Sequence, residues 1–334
     1  MNKLNLEIKN PEPILKTFKA LFEDIKQSED VYLRVPGQQD YDNPLNLEQH
    51  TNVLGMRQML LPEVLHIFGI RSMTLNSHYD LMALHDLSTL LFTEQKIAIS
   101  EYLKNNALVE ELKRLFSKCR TIAFDDWGSF GGSSEIWKDL LKFVILPLEI
   151  KKIEFIFYLG NPLDRPSFQI GEVLDIISEF ANVGGVTLAL DESEALSLWR
   201  FLNGVDPAAS LGTSTIVDLK KKYYSIFLAI AFARLLIYST DSAILLSSKE
   251  QFVLSRKSVD ARVEVGDNAR QNFISGYSAG LHIDASTAES IALGLIIFGA
   301  SANYDKIADI ETVHQYIDNW VADLERPESM NLYQ

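Results

Sequence analysis

Several groups of residues have types and spacings that could do chemistry. Between Val265 and Tyr304 the chain reads VGDNARQNFISGYSAGLHIDASTAESIALGLIIFGASANY, with Asp267, Asn268, Ala269, Arg270 and Gln271 ahead of Phe273, Gly276 and Gly280. Arg270 brings a planar guanidinium suited to an anion, and Asp267 a carboxylate suited to a helix N-cap. Asp191-x-x-Glu194 follows an apolar run. Two carboxylates so spaced can hold magnesium through water, or open a helix whose dipole favours acids in its first turn. Gly276-Tyr277-Ser278-Ala279-Gly280 fits the nucleophile-elbow pattern G-x-S-x-G, which would make Ser278 a nucleophile. That motif needs an apolar strand directly before it, and DNARQN stands there, so a chance match inside a helix is the better reading. Asp125, Asp126 and Asp164 are site candidates by position, with turn chemistry and capping as the favoured account. His78 and His85 lack a His-Glu-x-x-His spacing and read as surface or loop residues. Neither a Walker A sequence nor G-x-G-x-x-G occurs, which removes P-loop and Rossmann cofactor readings.

The elements that must position these residues follow a repeating grammar. The run Ile122-Ala123-Phe124 ends in Asp125-Asp126-Trp127, and a helix follows from about Ser134. Ile153 to Leu159 ends in Gly160-Asn161-Pro162-Leu163-Asp164-Arg165, and a helix follows from about Ile170. Val186 to Leu190 ends in Asp191-Glu192-Ser193-Glu194, and a helix runs through Trp199. Strand, polar turn and helix in series predict βαβ units and a mostly parallel sheet. Ligands of such sheets bind beyond the strand carboxyl ends, where the acidic turns fall. Leu235 to Tyr238 and Ala243 to Leu246 read as paired strands. Phe273, Gly276 and Gly280 share a helix face. Ser286-x-x-Glu289 reads as a capping box opening a second helix, whose apolar run Ile291 to Phe298 predicts burial. Upstream, Ile14 to Ile25 is amphipathic, Val31 to Val35 reads as a strand, Arg71 to Leu75 and Ser88 to Phe92 as further strands, and Leu103 to Phe116 as a helix.

Composition bounds the function classes. With 334 residues of which 47% are hydrophobic, the chain can build a sizeable core. A net charge of −14 argues against a nucleic-acid partner. The single cysteine, Cys119, excludes an internal disulfide and a cysteine zinc site, and suits a reducing cytoplasm. MNKLNLEIKNPEP shows no apolar signal region. The apolar run from Tyr223 to Leu246 is broken by Arg234 and Ser239-Thr240-Asp241, so it reads as a buried helix and a strand, with no membrane partner expected.

The stretch from Asn268 to Gly276, with the Ala- and Gly-containing helix after it, resembles the C-terminal signature of the ribokinase-like (PfkB-type) carbohydrate kinases. That signature is Gly-Ala-Gly-Asp, one residue, Phe, two residues, Gly. Aligned through Phe273 and Gly276, Asn268, Ala269, Arg270 and Gln271 occupy its first four places. Asn161-Pro162 with Arg165 is similar to the family's Asp-Pro-Asn-x-Arg turn, and Asp191-x-x-Glu194 to its Asn-x-x-Glu. The resemblance covers roughly residues 122–324. Residues 36–46 carry Gly37, Asp40, Asp42 and Asn43, without the family's paired-glycine substrate motif.

The resemblance implies a three-layer α/β fold: a mostly parallel central sheet flanked by helices, with a small β lid from the N-terminal half. A single domain over 1–334 is expected, with lid strands within 31–100 and the core mainly in 120–325. It implies an ATP-dependent kinase of a sugar or nucleoside hydroxyl, using Mg2+ supported by Glu194 and Asp191, and a dimer contact at the lid. Asn268, Ala269 and Arg270 would contact phosphate at a helix N-terminus. Gln271 stands where the family has its catalytic Asp. An amide can orient a hydroxyl but is a poor proton acceptor, and Asp267 is the nearest substitute base. The expectation is an impaired kinase homologue, with a non-catalytic nucleotide- or sugar-binding or scaffold protein as the alternative and a serine hydrolase using Ser278 as the last.

Overall fold

The computed structural model describes residues 6–22, 30–36, 64–74, 103–104, 106–125, 127–129, 133–148, 152–160, 162–206, 216–230, 233–239, 241–256, 269–304 and 309–325. One nine-stranded sheet runs through them in the order β1-β9-β8-β7-β6-β5-β4-β2-β3. The strands are β1 (Glu7–Ile8), β2 (Val31–Pro36), β3 (Arg71–Thr74), β4 (Cys119–Asp125), β5 (Glu154–Tyr158), β6 (Gly185–Asp191), β7 (Arg234–Tyr238), β8 (Ser242–Leu246) and β9 (Gln251–Ser255). Only β8 runs against the rest, paired antiparallel to both β7 and β9. Central strands such as EFIFY and RLLIY are buried and apolar after a charged first residue, because helices cover both faces of a parallel sheet.

Alternate residues of each strand serve the two layers. Phe155 and Phe157 of β5, Val186, Leu188 and Leu190 of β6, and Leu235 and Ile237 of β7 enter one core. The helices α2 (Asn106–Phe116), α3 (Ser133–Asp139), α4 (Ser167–Phe180), α5 (Glu192–Leu202) and α6 (Ile216–Ala229) contribute to that core. Phe124 and Phe157 stack in it with ring centroids 4.9 Å apart. Ile156, Ala189, Leu236 and Tyr238 enter the other core. That second core takes α1 (Glu12–Phe22), α7 (Ala269–His282), α8 (Thr287–Tyr304) and α9 (Ile310–Leu324). Ala123, Thr187 and Ala189 are small, which leaves α7 room to lie close to the middle of the sheet.

Helices α7 and α8 pack backbone to backbone. A Cβ on Gly276 would stand 2.5 Å from the Leu293 carbonyl oxygen, and one on Gly280 2.5 Å from the Ser290 Cα. The capping box opens α8 as its sequence indicates: Ser286 N donates to Glu289 Oε2 at 2.7 Å, and Glu289 N to Ser286 Oγ at 3.3 Å.

Of the stretch expected to hold lid strands, β2 and β3 belong to the main sheet, paired parallel in the register Val31↔Arg71. Ser88 to Phe92 lies outside the described residues. Among the described residues no helix is long and apolar enough to cross a membrane.

Candidate functional site

The course of α7 is fixed by its contacts along the sheet. At its start, Phe273 stacks on Tyr238, the last residue of β7, with centroids 4.4 Å apart and planes at 7°. One turn on, the Tyr277 hydroxyl lies 3.1 Å from Thr187 Oγ1 in the interior of β6. At its end, His282 meets the Tyr32 ring edge-on, with centroids 6.4 Å apart. Burial, and then the charge of Arg120 at the amino end of β4, push the His282 imidazole down to about 4. Thus α7 runs against the strands, and its first turn sits at the carboxyl edge of the sheet. The unsatisfied N–H groups of that turn and the helix dipole make it a place for an anion.

The acidic turn after β6 lies on the same edge. Asp191 ends β6 and is the N-cap of α5, where Asp191 Oδ1 accepts from Glu194 N at 2.8 Å and Glu194 Oε2 accepts from Asp191 N at 2.9 Å. Ser193 Oγ also donates to Asp191 Oδ1, at 2.7 Å. Both carboxylates are buried. Partial burial, and then the charges of Asp241 and Asp191, push the Glu192 carboxyl up. The Tyr223 hydroxyl is raised by burial and then by Glu192 and Asp191. Asp241, in the β7–β8 turn, therefore shares this corner with the α5 acids.

A third corner forms where the strand order reverses. The chain passes from β2 outward to β3 and returns to β4 on the other side of β2. Such a switch point opens a crevice at the carboxyl ends of the two strands. Pro36 and Asp125 are the register pair at that end. Trp127 follows in a 3-10 turn, buried, with its Nε1 donating to Ser134 Oγ at 2.8 Å. Gly128 N donates to the Leu159 carbonyl at 2.7 Å, tying that turn to the end of β5. Beyond β5, Arg165 lays its guanidinium over the Trp127 ring, 5.9 Å from the centroid, and donates from Nη2 to the Trp127 carbonyl at 3.4 Å.

The residues singled out from sequence are distributed as follows. Ala269, Arg270 and Gln271 form the first turn of α7, placed by their backbone at the carboxyl edge. Asp267 and Asn268 lie outside the described residues, as do Gly37, Asp40, Asp42, Asn43, His78, His85, Asp126 and Asn161. Asp125 and Asp164 are placed by backbone only, at the end of β4 and in a 3-10 turn. The hydrolase reading is corrected. Ser278 sits within α7, not at a strand-to-helix turn, and is fully buried. Its Oγ accepts from Tyr32 Oη at 3.2 Å and lies 3.2 Å from Tyr158 Oη, so it anchors the helix to the sheet. Glu192, Asp241 and Trp127 carry no motif in the sequence. Their signal is position: each lies just beyond a strand's carboxyl end.

Magnesium and nucleotide, which the resemblance implies, meet a mixed reception. The first turn of α7 suits an anion. Asp191 and Glu194 are hard oxygen donors fit for magnesium, and one oxygen of each, Asp191 Oδ1 and Glu194 Oε2, is engaged in the capping box. Among the described residues no group of three or more His, Cys, Asp or Glu could hold a metal ion.

Comparisons with solved structures place the architecture. A probable sugar kinase from Rhizobium etli superposes with a TM-score of 0.52 at 12% identity, over 88% of this chain and 99% of that one. The pyridoxal kinase from Staphylococcus aureus does so with a TM-score of 0.50 at 10% identity, over 83% and 89%. At these identities the likeness carries the fold alone, the ribokinase-like α/β arrangement of a mostly parallel sheet flanked by helices. No family model matches the chain, and no curated protein matches it.

Proposed function

We propose that this chain is a divergent ribokinase-like kinase homologue. It would bind a nucleotide and a small hydroxyl-bearing acceptor, a sugar or nucleoside, along the carboxyl edge, with the transfer step impaired. The observation that carries this reading is the placement of the first turn of α7. Gln271 belongs to a helix N-terminus at the carboxyl edge, held there by Phe273 on Tyr238 and by the glycine contacts with α8. A bound ATP–magnesium complex would supply the phosphoryl group. The N–H groups of residues 269–271 would face its charge, and Arg270 would add a cation. Gln271 would orient the acceptor hydroxyl without taking its proton. Loss of a general base costs on the order of 10²–10⁴-fold in rate.

The test is an ATP-dependent transfer assay across sugars and nucleosides. Slow or absent transfer by the native protein is expected, with a gain on the order of 10²-fold or more in Gln271→Asp. Robust native turnover, abolished by Gln271→Ala and untouched by Asp267→Ala, would overturn the missing-base reading. The second reading, a binder without transfer, is favoured by the capping box, in which Asp191 Oδ1 and Glu194 Oε2 serve the start of α5.

A further inference from the structure

Two adjacent residues tie the middle of α7 to the sheet by polar contacts, inside a core carried by apolar residues such as Ile156, Ala189 and Leu236. The Tyr277 hydroxyl lies 3.1 Å from Thr187 Oγ1 on β6. Ser278 Oγ accepts from Tyr32 Oη of β2 at 3.2 Å and lies 3.2 Å from Tyr158 Oη of β5. All five side chains are buried. β4 lies between β2 and β5 and turns the small Ala123 to the same layer.

Thr187 is itself held from the amino edge of the sheet. Arg234, the first residue of β7, donates from Nε to Thr187 Oγ1 at 3.1 Å, and its Nη2 pairs with Glu154, the first residue of β5. β6 runs between those strands, and the pair crosses it at Gly185, whose Cβ would strike the Glu154 carboxylate. An arginine only donates, so Thr187 Oγ1 still has its own proton to give to Tyr277, or a lone pair to accept with.

A buried hydrogen bond adds little net stability over an apolar contact, but it is directional where the hydrophobic effect is not. The seam between α7 and α8 supplies little of that direction, because Gly276, Gly280 and Gly294 present no side-chain ridges to interlock along the axis. At 1.5 Å per residue, Gln271 stands about 9 Å up the helix from Tyr277, so whatever fixes Tyr277 axially also fixes the first turn.

We propose that Tyr277 and Ser278 are positioning residues. Their hydroxyl bonds set how far α7 extends toward the carboxyl edge, and so where its first turn meets an anion; Arg234 acts on that turn through Thr187. This rests on the reading above, since the turn so placed is the one that would face the nucleotide.

The experiment uses the full-length chain and variants that remove a hydroxyl while keeping shape. Tyr277→Phe acts on the helix, and Thr187→Val and Tyr158→Phe act from the sheet, leaving the sequence of α7 untouched. Thr187→Ser keeps the hydroxyl and is the rescue. The affinity for ATP with magnesium is read by calorimetry, and the exchange of the amides of residues 273–276 and 280–283 by hydrogen exchange. Affinity should fall roughly five- to tenfold in each of the three hydroxyl-deleting variants and stay native in Thr187→Ser. Thr187→Val with Tyr277→Phe should be no worse than either alone, because one bond is lost once. Amides 273–276 should exchange about tenfold faster with 280–283 unchanged, as local opening of the first turn requires. Native affinity in all three variants, or exchange that rises evenly along α7, would overturn the proposal and leave these hydroxyls to stability alone. If Thr187→Val fails to fold, Tyr277→Phe and Tyr158→Phe decide on the same criteria. If the native chain binds no ATP, the nucleotide reading falls by itself, and the exchange pattern alone upholds or overturns the positioning role.

Discussion

Two buried residues carry opposite lessons about titration and capping. His282 is 2% exposed, and burial and Arg120 hold its imidazole at about 4, against 6.5 unperturbed. The sign follows from linkage: below pH 6.5 the unfolded chain takes a proton that the folded chain refuses until about pH 4. Stability is thus full above the unfolded value and is lost as pH falls through that window, by up to about 3 kcal/mol. Urea unfolding at pH 7.5, 6, 5 and 4 should show the decline, and His282→Asn should flatten it; an equal slope in the variant would remove His282 as the cause. Asp191 makes the other case. If it serves chiefly as the N-cap of α5, Asp191→Ala should cost about 1 kcal/mol and Asp191→Asn much less. Magnesium alone should then shift the melting temperature of native and Asp191→Asn protein equally. A magnesium stabilisation present in the native chain and lost in Asp191→Asn would make the carboxylate a metal contact.

At the scale of elements, the matched half of the signature has a packing reason. Gly276 and Gly280 face α8 at distances that admit no Cβ, and Gly294 returns the contact, 2.9 Å from the Phe273 carbonyl oxygen to its own would-be Cβ. Gly276→Ala should therefore force the helices apart and destabilise by about 1–3 kcal/mol, as overpacking does. Gly171, inside α4 with nothing within 4 Å of a built Cβ, should do the reverse. Gly171→Ala should stabilise by about 0.5–1 kcal/mol through helix propensity. Denaturant midpoints for the pair test this; a neutral Gly276→Ala would mean that α7 and α8 have slack. Gly276 and Gly280 were legible in sequence because helical spacing is local, and so were the capping box at Ser286 and the mainly apolar runs of β5, β6 and β7. What was not legible is non-local. A parallel strand such as β3 carries no mark of its partner, so its place in the main sheet could not be read from RSMT. Nor could sequence bring Trp127 to Arg165, or Tyr32 and Tyr158 to Ser278, because each meeting depends on which strands lie side by side.

For the whole molecule, the sheet joins both ends of the described chain. β1 pairs with β9, and α1 packs on α9, with Lys19 ion-paired to Asp318 and Phe22 edge-on to His314. A ligand held anywhere on the carboxyl edge should therefore stabilise one cooperative transition, by RT ln(1 + [L]/Kd), about 2.7 kcal/mol at a hundredfold excess over Kd. Charge sets the conditions. On the proposed reading, a nucleotide approaching a chain of net charge −14, past Glu192 and Asp241, would meet like charge, and the favourable term would come from the first turn of α7. Magnesium bound to the nucleotide removes part of that repulsion, so ATP with magnesium should raise the melting temperature more than ATP alone, in a concentration-dependent way. Added salt at 0.15 M, with a screening length of about 8 Å, should narrow the gap between the two by masking the acids. A melting temperature indifferent to ATP and ADP at millimolar concentration, with and without magnesium, would end the nucleotide reading. An ATP shift that magnesium abolishes would show that the α7 turn prefers the free anion, and that the acids do not govern entry.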